Sequence, residues 1–313
     1  MKQKLLAIAI AAAASLMAPL SANAGVVGIA DMNVTALGFT TPPGGLTLLI
    51  ENESRTGTAS ANYNGVSAVY SGAGGTGPGA SITGFGAAVV DVGYRCAGQC
   101  ATAAGLYNGS LGGLENATNH IGTPGAANYA LGDMFISGSA LGGSISGQTR
   151  ANAVSTGPTN SGGANATILN SGVVSGSFTV GTTFTSSLTM GVDAYLQAWV
   201  DPFSLGVSRT ASAAYGWNIL ITDAIGNEVL KWTPAELNKG FGSSDSAGNA
   251  LKTYSYAGAL SSATATFVKG VKYDFTINQS SNATVRDVPE PASIALIGIA
   301  LLGAGAVTRR RMK

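Results

Sequence analysis

The chain has 313 residues, of which 45 are glycine and only 10% are Asp, Glu, Lys or Arg, and its formal net charge is +1. Six of the 16 basic side chains (Lys2, Lys4, Arg309, Arg310, Arg311 and Lys313) lie at the two ends, so residues 25–288 hold 10 basic and 14 acidic groups. An acidic body weighs against a nucleic-acid partner, which needs a basic face. The scarcity of long Leu/Glu/Lys/Ala periodic stretches weighs against a helical fold.

The chain opens on a short basic start, Lys2 and Lys4, followed by an uncharged apolar stretch over residues 5–18. Ala22 and Ala24 supply the small side chains that a signal peptidase accepts, and Pro19 ends the apolar run. This three-part pattern predicts a secretory signal peptide over residues 1–24, with cleavage after Ala24 and a mature chain beginning at Gly25.

Beyond it, Thr, Ser, Val, Tyr and Gly favour strands and turns. Strand candidates fall at residues 26–30, 34–39 and 46–51, with Pro42-Pro43-Gly44-Gly45 as a turn between the last two. Residues 71–80 read as a loop and 82–94 as strand. Cys96 and Cys100, in CAGQC, are separated by three residues, so they are not a thioredoxin-type pair. An oxidising compartment favours a local disulfide between them. Residues 97–172 are rich in Gly, Ser, Asn, Thr and Ala, and read as long loops or short edge strands. Within them only 129–136 and 141–145 look able to join a core.

Residues 173–286 carry the clearest order. Phe184, Leu188, Met190, Val192, Ala194, Leu196, Ala198 and Val200 all fall on even positions, with polar or amphipathic groups between. Period-two alternation is the pattern of a half-buried antiparallel strand, and Gly191 is a natural place for a bulge or break in so long a run. Asp201-Pro202 turns the chain. The next strand alternates on odd positions from Phe203 to Ile219, with Arg209 interrupting the face and suggesting an edge or bend. Ile225-Gly226-Asn227 is a turn before a strand at 228–232. Thr233-Pro234-Ala235-Glu236 resembles a short helix start with Thr233 as its cap. Ala263, Ala265 and Phe267, then Val271, Tyr273, Phe275 and Ile277, alternate again. Together these predict an all-β fold, an antiparallel β-sandwich of jelly-roll type with long Gly/Ser/Asn-rich loops, over residues 25–286.

The sequence offers little chemistry. His120, the only histidine, sits in a Gly/Asn-rich loop without a GxSxG elbow to partner it. A metal site is not expected, because zinc usually takes three His or Cys ligands and calcium a run of acids. The acids are scattered singly, so no motif pairs two carboxylates for glycoside hydrolysis. No cofactor and no enzymatic activity are expected. One surface feature invites a ligand: Asp193, Tyr195, Gln197 and Trp199 share the outward side of the long strand, where rings beside polar groups suit a sugar. Burial of Tyr195 and Trp199 under a loop or second layer is the competing reading.

The far end runs Val288-Pro289-Glu290-Pro291, then 16 uncharged residues from Ala292 to Val307, then Arg309, Arg310, Arg311 and Lys313. As a helix the apolar run would span about 24 Å, short against a hydrocarbon core of roughly 30 Å. Dense positive charge beside it acts as a membrane stop on the cytoplasmic side, which places the body on the outer side. In order, spacing and position, residues 287–313 resemble the PEP-CTERM sorting domain of exosortase substrates. The resemblance implies processing by an exosortase near Pro289-Glu290-Pro291 and a link to exopolysaccharide or biofilm systems. The expected partners are therefore signal peptidase, exosortase, exopolysaccharide and, transiently, the inner membrane. The expected product is an exported structural protein of the cell surface or extracellular matrix. A glycan-binding module is the alternative and a secreted polysaccharide hydrolase a third reading.

Overall fold

The computed structural model describes residues 25–40, 48–67, 70–71, 79–85, 89–102, 128–156, 161–168, 174–201, 207–244 and 251–289. Its strands are β1 (Val26–Phe39), β2 (Leu48–Tyr63), β3 (Val66–Ser67), β4 (Tyr70–Ser71), β5 (Gly79–Phe85), β6 (Val90–Asp91), β7 (Arg95–Gly98), β8 (Tyr129–Ser137), β9 (Gly142–Ser155) and β10 (Ser161–Ile168). They continue with β11 (Val174–Val180), β12 (Phe184–Ser186), β13 (Leu188–Val200), β14 (Val207–Asp223), β15 (Glu228–Trp232), β16 (Lys239–Ser244), β17 (Leu251–Ser261), β18 (Ala265–Phe267) and β19 (Lys272–Pro289).

The protein is all-β, and its strands pair antiparallel in two large sheets and one small one. The first sheet runs β17–β13–β1–β9–β8–β7–β4. The second places β2 and β19 on either side of β10 and β11, which lie end to end between them, with β14 beyond β19. β15 and β16 share the free side of β14 in the same end-to-end way. β12 and β18 form the small third sheet. Even-numbered residues of β13 and odd-numbered residues of β14 and β19 face inward and are buried, as their alternation demands. This strand order establishes antiparallel sheets face to face; it does not establish a jelly-roll path.

The interior is a wedge. At one end it is lined by Ala30, Ala151, Ala153, Ala198, Ala211 and Ala283, all buried. There the sheets nearly touch: a Cβ added to Gly28 would lie 2.7 Å from the Ser212 carbonyl oxygen and 3.1 Å from that of Thr284. In the middle, polar side chains tie the sheets together. The Gln279 amide donates to the carbonyls of Met32 and Gly147 at 3.1 Å each, and the Ser281 and Thr149 hydroxyls lie 2.8 Å apart. The far end is aromatic. Phe267 packs its ring 4.9 Å from Phe39, 5.3 Å from Phe184 and 5.2 Å from Tyr273, and Phe178 lies 5.4 Å from Tyr273.

Several local expectations change. β13 passes unbroken through Gly191, and the long run divides instead at Ser187. The bulge lies opposite, on β1, where register shifts between Thr35 and Gly38 and Ala36 has φ 54°. Gly191 serves another purpose: a Cβ there would meet the Thr35 hydroxyl at 2.7 Å. β14 likewise runs straight through Arg209, which is buried and sits opposite Asp287 of β19, so it marks neither edge nor bend. Thr233 does not cap a helix. The 3-10 turn Ala235–Leu237 is preceded by Pro234 and has no side-chain cap. Nor are β8, β9 and β10 edge strands. β9 is flanked by β1 and β8, with its Ala151 and Ala153 buried at the narrow end of the wedge, and β10 is flanked by β2 and β19.

The break between β15 and β16 is repaired by a side chain. The Asn238 amide accepts from the Trp217 N–H at 3.2 Å and donates to the Trp217 carbonyl at 2.7 Å, as a peptide of a continuous edge strand would. The turn expected at Ile225-Gly226-Asn227 forms, with Gly226 at φ 87°. The Asp223 carboxylate accepts from the N–H groups of Ile225 and Asn227 and from the Asn227 side-chain amide. These bonds, led by that amide, hold the Asp223 carboxyl below the usual carboxylate range. A lowered folded-state pKa stabilises above the unfolded value of about 3.9 and stops doing so as pH falls through the folded value. Asp223→Ala should therefore melt below the wild type near neutral pH, and the gap should close in acid. A gap independent of pH would exclude this origin.

Candidate functional site

The last strand ends in the candidate sorting motif. β19 is paired with β14 from Tyr273 onward, up to Ser208 opposite Val288 and Val207 opposite Pro289. On its other side the pairing with β10 stops at Arg286. Thus Asp287, Val288 and Pro289 are extended and, among the described residues, paired on one side only, and the motif begins within β19 itself. Proline at the end of a ladder loses no bond it needs, since it has no N–H to give. Glu290, Pro291, the apolar run 292–307 and Arg309, Arg310 and Arg311 lie outside the described residues, as do Ala22, Ala24 and His120. Gly25 lies just ahead of β1, and its carbonyl accepts from the Asp201 N–H at 3.0 Å. Among the described residues no helix is long and apolar enough to cross a membrane.

Asp193, Tyr195, Gln197 and Trp199 do share the outer side of β13, but not as an open platform. Asp193 is exposed, Tyr195 and Trp199 are half-buried, and Gln197 is 1% exposed. The Tyr195 hydroxyl donates to the Gln197 side-chain oxygen at 2.8 Å. Burial, and then the Asp31 carboxylate, raise the Tyr195 pKa. Both rings pack against a second apolar cluster on this outer side, made by Val27, Ile29, Tyr94, Tyr129, Leu131 and Val154 with Cys96 and Cys100. The two cysteines are disulfide-bonded, with Cα atoms 5.9 Å apart. Cys96 itself lies in β7, and Gly98 inside the ring has φ 91°. A Cβ on Gly98 would come within 2.4 Å of the Asn128 carbonyl.

Beside that cluster a charged row crosses the sheet. Register places Tyr195, Asp31, Arg150 and Asp133 side by side on β13, β1, β9 and β8. Arg150 is fully buried and contacts Asp133 at 3.2 Å, while Asp31 is 6% exposed. A second buried pair lies between the sheets. Arg55 donates to Glu53, its neighbour on the same side of β2, and to the Gly138 carbonyl. Sequence reading passes over the buried charges of Asp31, Arg150, Asp133, Arg55 and Glu53, because it places charge in water. The signal available was parity: Asp31, Arg150 and Asp133 each sit in register with the apolar outer cluster. Among the described residues no group of three or more His, Cys, Asp or Glu could hold a metal ion.

The family model for the PEP-CTERM protein-sorting motif matches residues 287–311. That motif is the recognition signal for exosortase and implies export and membrane-associated sorting to the cell surface. No curated protein matches the chain. Among solved structures it has a faint similarity to the structure of infectious bursal disease virus Gx strain. The identity is 11%, over 91% of this chain and 87% of that one, with a TM-score of 0.10, too low to inform the fold.

Proposed function

Because the chain carries a PEP-CTERM protein-sorting motif at residues 287–311, we propose that it is a structural protein of the cell surface and extracellular or biofilm matrix. It crosses the inner membrane behind its signal peptide, is held there transiently by residues 292–307, and is processed by exosortase beside Pro289. The carrying observation is the matched motif; its direct continuation from β19 supports a body delivered against the membrane face, without a spacer. An exopolysaccharide is the partner that such a weakly charged, hydroxyl-rich surface would meet.

A non-enzymatic role is supported by where the acids sit. Glu53 and Asp133 are buried against arginines and Asp223 is committed to a turn, so these three are not available to a sugar ring. The glycan-binding alternative has less support, since Tyr195 and Trp199 lean on the outer apolar cluster and Gln197 is closed off. Intact-mass measurement of protein recovered from the native surface tests the proposal. The expected chain runs from Gly25 to near residue 289. Recovery from wild-type cells of a chain still carrying Arg309, Arg310 and Arg311 would overturn exosortase handling. Release of reducing sugars from a matrix polysaccharide by the purified protein would overturn the non-enzymatic role.

A further inference from the structure

The outermost strand of the first sheet, β17, is long, straight and open. It pairs with β13 over 11 consecutive residues without a register shift, and on its other side no strand pairs with it among the described residues. The N–H of Ser262, the next residue along, donates to the Leu188 carbonyl at 2.9 Å. In an antiparallel ladder this fixes the parity. Even-numbered residues of β17 spend their backbone groups on β13, and Leu251, Thr253, Ser255, Ala257, Ala259 and Ser261 point theirs outward. All six are exposed.

Edges of this kind are normally blunted by charge, proline, a bulge or shortness. β17 has no proline and no bulge. Its one charge, Lys252, is drawn aside: the ammonium group donates to the Gly242 carbonyl of β16 at 2.5 Å. Among the described residues the Tyr256 hydroxyl also reaches this edge, donating to the Ala259 carbonyl at 3.1 Å. A carbonyl has a second lone pair, so this leaves Ala259 able to accept again.

We propose that β17 is the self-association surface of this protein, pairing antiparallel with β17 of a second copy about a two-fold axis at Tyr256. The sequence of the strand is complementary to its own reverse. With Tyr256 on the axis, Ser255 meets Ala257, Thr253 meets Ala259 and Leu251 meets Ser261, all outward-pointing residues, so every hydrogen-bonded position coincides. Lys252 falls opposite Leu260, so no like charges face each other across the new ladder. The other free strands cannot serve β17 as well. Among the described residues β4 at the far end of the sheet has two residues, β5 at one edge of the second sheet has seven, and the other edge of that sheet is split between β15 and β16, so none offers the 11 positions of β17 itself. The contact is therefore isologous and closes as a dimer with one sheet running through both copies, instead of growing as a filament.

Cysteine scanning of the full chain in its own host tests this. Cys96 and Cys100 are already joined, so one introduced thiol has no partner within the chain. At the axis two copies of residue 256 form a non-hydrogen-bonded pair with Cα atoms about 4.5 Å apart, within disulfide reach. Y256C should give a covalent dimer on a non-reducing gel, and K252C, eight residues out of register with its own copy, should not. Ala257→Pro removes an outward N–H that the ladder to β13 does not use. It should raise the dimer dissociation constant by about tenfold or more while the melting temperature of the subunit stays near that of the wild type. A monomeric Y256C, equal crosslinking by K252C, or a folded Ala257→Pro variant that dimerises as tightly as the wild type would each overturn the proposal. Should Ala257→Pro not fold, the two cysteine variants decide alone.

Discussion

Replacing Arg150 with methionine should destabilise the protein by about 3–5 kcal/mol. Arg150 is fully buried on the outer side of the first sheet, with Asp133 at 3.2 Å on one neighbouring strand and Asp31 in register on the other. Its removal leaves two buried carboxylates without the cation between them. The loss reflects that stranded charge more than the intrinsic worth of the ion pair, so a second change gives a sharper test. Arg150→Met combined with Asp133→Leu removes one carboxylate along with the cation and should be more stable than Arg150→Met alone. Urea denaturation with an unchanged m-value would measure both. A single variant within about 1 kcal/mol of the wild type would mean that water screens the row, contrary to its burial.

How much of this was legible in the sequence depends on what each strand packs against. β13, β14 and β19 alternate large apolar with polar residues because one side of each meets the wide part of the wedge, and their alternation reads directly. β9 and β10 are just as central, yet look like low-complexity loop. They pass by the narrow end, where Ala151 and Ala153 of β9 and Gly28 of β1 allow a close sheet-to-sheet approach that no scale of hydrophobicity registers. β17 went unread for a different reason. It overhangs the second sheet, so its inward residues Tyr254, Tyr256 and Leu260 are only half-buried and Lys252 and Gly258 break the alternation. The Asn64-Gly65 hairpin, with φ 52° and 77°, is a short-range signal that strand-by-strand reading passes over. The sorting motif was legible because it is contiguous: its order and spacing need no tertiary context. The charged row across the outer side was not, because its members come from four strands spread between residues 31 and 195.

The two ends of the wedge should respond to opposite kinds of damage. At the wide end, Phe178 is fully buried and its ring lies within 6.3 Å of those of Phe39, Phe267, Tyr273 and Phe275. Phe178→Ala should cost about 3–5 kcal/mol, because a cluster drawn from β1, β11, β18 and β19 cannot all collapse into the space. At the narrow end the harmful change is an addition. Gly28→Ala places a Cβ 2.7 Å from the Ser212 carbonyl oxygen, and the obstacle is backbone of the facing sheet, which has no rotamer to change. The sheets must separate there, at a cost of about 1–3 kcal/mol for one methyl group. Shrinking Ser212 would not relieve it, since the clash is with the main chain; Gly28→Ala with Ser212→Gly should be no more stable than Gly28→Ala alone. Thermal melts of the three variants decide this. Full rescue by Ser212→Gly would show that side chains, not backbones, set the separation of the sheets.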